Sequence, residues 1–157
     1  MLSDLKNSKI KDPYLKPVIL GGLVITGLSL VFSIGIFLWA IVGGYITVRL
    51  ANKITEKAVS IGDGLLLGLF SGVVGGSLLN VITVIAFQSP ENQRLLINTL
   101  EKNWPKEMHP IPHFKELLPS LFITVCIFII IISILFALIG ACIGSMISRN
   151  TKKIGNE

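Results

Sequence analysis

Three long stretches of this sequence, 17–48, 64–88 and 117–148, carry no charged residue. A helix needs about 20 predominantly apolar residues to cross roughly 30 Å of hydrocarbon, and each stretch is long enough. Helices buried in a soluble all-α protein would still show a polar face, and these stretches have none. Composition agrees: 52% of the chain is hydrophobic and 15% is charged, against about 25% charged in soluble domains. The expected class is a single-domain, all-α integral membrane protein, with the lipid bilayer as its first partner. The first apolar stretch is more than twice as long as a signal-peptide core of about 7–15 residues, so it is expected to be retained. The net charge of +5 sits just beyond the apolar stretches. There it reads as a topology signal and a contact to anionic lipid. No basic stripe alternates with aromatics, so nucleic acid is not an expected partner.

The first stretch is too long for one span. As a single helix, 18–48 would measure about 46 Å. A turn at Ser33-Ile34-Gly35 divides it into two legs, 14–32 and 35–53, each about 28 Å long. The basic residues favour this division. With four spans, Lys6, Lys9, Lys11, Lys16, Arg49, Lys53, Lys57, Arg149, Lys152 and Lys153 share one side. Only Arg94, Lys102, Lys106 and Lys115 lie on the other. Three spans would divide the basic residues almost evenly. Cytoplasmic loops carry the excess of Lys and Arg. The expected fold is therefore a four-helix transmembrane bundle of two hairpins in the cell membrane, with both termini cytoplasmic. Its spans fall at about 14–32, 35–50, 63–88 and 117–148.

The connecting segments follow from local signals. Asp63 at the start of span three is expected to be its N-cap. The outer loop, 89–116, opens with Ser89-Pro90-Glu91, a helix start. Leu95, Leu96 and Leu100 then recur at helical spacing, with Trp104 further along the same pattern. A short amphipathic helix is expected, lying on the outer membrane face or closing the bundle end. The three prolines in 105–113 exclude helix there. The tail beyond Arg149 is expected to be disordered.

Glycine marks the packing faces. Thirteen of the fifteen glycines fall within or beside the spans, so they are not simply loop residues. Gly64, Gly68, Gly72 and Gly76 recur every fourth residue, and Asn80 continues the row. Such a row forms one nearly flat stripe. Lipid gives helices no hydrophobic drive to associate, so they meet through close backbone contact at small residues. Gly140 and Gly144 in span four, with Ser133, Ala137, Ala141 and Ser145 on a neighbouring row, and Ala40 and Gly44 in span two, are the expected counterparts. The stripe can serve packing within one chain, homo-oligomerisation, or the lining of a path. Leu67 is expected on the lipid side. Asn80 is expected to make an interhelical hydrogen bond. Thr26, Ser29, Thr83, Ser120, Thr124 and Ser133 are expected to bond carbonyls one turn back.

Chemistry-bearing residues are sparse. No Asp, Glu, Lys, Arg or His lies in a span core, where coupled transporters generally need one. The small four-span multidrug transporters depend on such a glutamate. His109 and His113 are four apart, but Pro110 and Pro112 prevent a helix from aligning them, and no HExxH frame exists. Cys126 and Cys142 lie about 24 Å apart along one helix and cannot pair. No catalytic residue, metal site or cofactor is expected.

The segments 41–53 (IVGGYITVRLANK) and 61–72 (IGDGLLLGLFSG) resemble small prokaryotic four-span membrane proteins classed as domains of unknown function. In those, a Gly-Gly pair ends span two, a basic turn follows, and a glycine-rich span three comes next. The resemblance covers about 40–88. It implies the four-span fold and transfers no site residue. The leading functional expectation is a non-enzymatic protein that works by packing with itself or with a partner membrane protein. The alternative is a small channel, holin-like pore or transporter subunit.

Overall fold

The computed structural model describes residues 13–31, 35–105 and 113–154. The expected turn residues Ser33 and Ile34, together with His109 and its neighbours in 106–112, lie outside the described residues. The described chain is all-helical: α1 (Leu15–Val31), α2 (Ile36–Thr55), α3 (Ile61–Phe87), α4 (Pro90–Lys102) and α5 (Phe114–Ile154). By length and composition α3 and Phe114–Ser148 of α5 can cross a membrane, while α1 is apolar but shorter.

Residue registers give the helix directions. Gly21 of α1 faces Gly43 and Thr47 of α2, and Gly64 and Gly76 of α3 face Ser145 and Ile130 of α5. Both pairs are thus antiparallel. Gly22 of α1 meets Gly75 of α3, while Gly140 and Gly144 of α5 meet Ile41 and Val48 of α2. These pairs run parallel. The four helices close a ring in the order α1, α2, α5, α3, and α2 also touches α3 across the middle. Val18, Val48, Leu67 and Ala141 form one buried cluster, and Ile25, Ala40, Leu79 and Ala137 another.

Helix ends depart from the expected boundaries for local reasons. Ser60, not Asp63, is the N-cap of α3. Its hydroxyl accepts from Asp63 N at 3.1 Å and donates to Asp63 Oδ2 at 2.7 Å. The cap hydroxyl thus satisfies one orphan backbone donor while Asp63 accepts its proton. α2 continues past position 50 to Thr55 and stops at Glu56, which takes a left-handed φ of 55°. Asn52 Oδ1 then accepts from Val59 N at 2.6 Å and folds the connection back onto α2. α5 begins at Phe114 rather than 117, because Phe114 and Leu118 are both buried there. It absorbs Pro119 within its first turns. It also continues through Arg149 to Ile154, so 150–154 are helical where a disordered tail was expected. No Gly or Pro interrupts 145–154.

α4 forms where the Ser89-Pro90 signal places it. Ser89 holds the cap position but makes no side-chain cap bond. The polar residues of its first turn work backwards instead. Asn92 Nδ2 donates to Ala86 O at 2.7 Å and Gln93 Nε2 to Phe87 O at 2.9 Å, satisfying carbonyls at the end of α3. α4 buries no residue, and Leu95 and Leu96 stay exposed. Trp104 lies beyond the helix and meets the Phe114 ring edge-on at 5.4 Å.

Candidate functional site: the small-residue core

Within α3, Gly64, Gly68, Gly72 and Gly76 are all buried. The spacing of four keeps them on one side, and that side lies on α5. A Cβ at Gly64 would collide with Ser145 Oγ. One at Gly68 would stand 2.7 Å from Ala141 Cβ and 2.9 Å from Ala137 O. One at Gly72 would stand 2.7 Å from Ile134 Cα and 2.8 Å from Ser133 O. At Gly76 the nearest atom is Ile130 Cα at 3.1 Å. The row Ser133, Ala137, Ala141, Ser145 therefore supplies the opposing surface, and each of the four is fully buried.

Gly140 and Gly144 serve a different neighbour. They face α2, where a Cβ at Gly140 would run into Ile41 O and one at Gly144 would lie 3.2 Å from Val48 Cβ. Gly44 of α2 is pressed against the Ala137 backbone, and Ala40 is fully buried beside it.

A third seam, along α1, was not expected from the sequence. A Cβ at Gly43 would sit 2.9 Å from Gly21 O, and one at Gly75 would sit 2.9 Å from Ile25 Cβ. Leu67, expected toward lipid, is only 4% exposed and belongs to the cluster around Val18. The reason is that α3 has two neighbours around the ring, α5 and α1, and its α1 side runs through Leu67, Ser71 and Gly75. The signal for this seam lay in the Gly-Gly pairs. Adjacent residues on a helix point about 100° apart, so Gly21-Gly22, Gly43-Gly44 and Gly75-Gly76 each give one glycine to each of two neighbours.

Polar side chains in the core bond mostly to carbonyls. Thr26 Oγ1 reaches Gly22 O at 2.9 Å and, across the seam, Gly75 O at 3.2 Å. Asn80 Nδ2 donates to Cys126 O of α5 at 2.9 Å. Thr83 and Thr124 bond carbonyls one turn back, and Ser120 bonds that of Leu117. Ser29 and Ser133 do not follow the pattern: each has a buried hydroxyl with no partner, as has Asn80 Oδ1. Cys126 and Cys142 are free thiols. Among the described residues no group of His, Cys, Asp and Glu is arranged to hold a metal ion. No protein-family profile matches the chain, and neither a curated protein nor a solved structure is significantly similar to it.

Proposed function

We propose that this protein is a four-span membrane protein of the small uncharacterised prokaryotic type, that it is not an enzyme, and that it acts by helix packing with itself or with a partner membrane protein. One observation carries this reading, the inversion of side-chain size between inside and outside. Gly68, Ser71, Ala137 and Ser145 fill the interior, while Leu66, Phe70, Ile123 and Phe128 are each more than half exposed. Only 11% of the most apolar window of α5 is buried. In water so large an exposed apolar surface would drive association. In a bilayer it is the natural lipid-facing coat, with small residues drawing the helices together inside.

The glycine stripe of α3 is already covered by α5, so a second chain would meet the large apolar faces outside. α2 and α3 also touch across the ring. The test uses the full chain. In native membranes, a photocrosslinking residue at Ile123 or Phe128 should yield a discrete adduct with a second copy or with one membrane protein. Purified protein in liposomes should show no conductance above the lipid baseline. Ion flux that scales with protein, without any adduct, would replace this reading with the pore.

A further inference from the structure

An open groove of about 500 Å³ runs between α1 and α3, with Val18, Leu66, Phe70 and Val74 along it. Because α1 and α3 are parallel, Tyr14 and Asp63 line the same end. From Asp63 to Val74 is eleven residues, about 16 Å of helix. One leaflet of a bilayer accounts for about 15 Å of hydrocarbon. The apolar walls offer a water none of the two to four polar partners it needs, and an empty groove forfeits dispersion contacts. In a membrane the available filling is an acyl chain. A chain lying in this groove brings its headgroup to the Tyr14–Asp63 end. The charged group lining that end is a carboxylate. Ser60 donates to one of its oxygens, and no ion pair to Asp63 occurs among the described residues.

We propose that this groove seats one acyl chain of a phospholipid bearing a primary-amine headgroup, with the ammonium facing Asp63. The proposal rests on the membrane-spanning reading and deepens it. An ammonium offers three N–H donors to the carboxylate, whereas a choline group offers none and a phosphoglycerol headgroup brings no cation to it. The preference expected of one exposed ion pair is about two- to fivefold.

The experiment places single tryptophan reporters in a Trp39→Phe/Trp104→Phe background and reconstitutes the full chain in vesicles. Brominated phosphatidylethanolamine, phosphatidylcholine and phosphatidylglycerol, matched in acyl chain, serve as quenchers. Phe70→Trp, in the groove, should be quenched about two- to fivefold more effectively by the ethanolamine lipid. Ile127→Trp, on the exposed face of α5, should be quenched equally by all three. Asp63→Asn should abolish the preference at position 70, and Asp63→Glu should keep it. Equal quenching at position 70, stronger quenching by the glycerol lipid, or a preference that survives Asp63→Asn overturns the lipid site while leaving the membrane reading intact. No quenching at position 127 defeats the membrane reading itself, and the lipid site with it.

Discussion

Gly72 and Gly27 are both helical glycines, yet a methyl group meets opposite fates at the two positions. At Gly72 it would face the Ile134 backbone at 2.7 Å, which no rotamer change can relieve, while at Gly27 nothing lies within 4 Å. Gly72→Ala should therefore destabilise the bundle by about 1–3 kcal/mol through overpacking. Gly27→Ala should stabilise α1 by up to about 1 kcal/mol through helix propensity. Reversible unfolding in mixed micelles measures both, and shifts of the same sign and size would contradict the packing account. A second contrast separates two hydroxyls. Thr26→Val deletes a bond across the α1–α3 seam and should cost about 0.6–1.7 kcal/mol. Ser133 is fully buried with an unpartnered hydroxyl, so Ser133→Ala should be neutral or stabilising by about 1 kcal/mol, since a desolvated orphan group is removed. A loss at Ser133 equal to that at Thr26 would mean that the Ser133 hydroxyl has a partner.

At the scale of elements, helix ends decide which pieces hold together. The Ser60 cap starts α3, and Ser60→Ala should cost about 0.5–2 kcal/mol, read from the same unfolding measurement. α4 is tied by polar side chains rather than by burial, since Asn92 and Gln93 reach carbonyls of α3 and no α4 residue is buried. The double variant Asn92→Ala/Gln93→Ala should release it. Hydrogen exchange in micelles should then speed up through Pro90–Lys102 by about tenfold for each 1.4 kcal/mol lost, with the middle of α3 unchanged. Unaltered protection of α4 would show that these bonds do not hold it. With Leu95 and Leu96 exposed, α4 is also the element suited to rest on a membrane face.

For the whole molecule, the alternation of helix directions puts the ends of α2 and α5 together and α4 at the opposite end. The proposed topology adds that the first of these ends is cytoplasmic, because it gathers the basic residues. Single cysteines at Lys53, Lys102 and Lys152, with Cys126 and Cys142 replaced, test it in intact cells. An impermeant thiol reagent should label position 102 alone. Labelling at 53 but not at 102 would invert the topology.

The presence of long apolar helices was legible in the sequence, because crossing hydrocarbon requires about 20 residues without charge and that requirement acts on each segment alone. So was the α3 stripe, since a four-residue glycine period is itself a local pattern. Which neighbour each small residue serves was not legible. In α1 and α3 the hydrophobicity is nearly uniform around the helix, so no apolar face distinguishes inside from outside. Leu67 and Leu66 are adjacent and chemically identical, yet one is 4% and the other 56% exposed. Only the ring order α1, α2, α5, α3 separates them, because it gives α3 a second neighbour. The same packing sends Gly140 to α2 and Ala141 to α3, two adjacent small residues that turn about 100° apart on one helix and meet different partners.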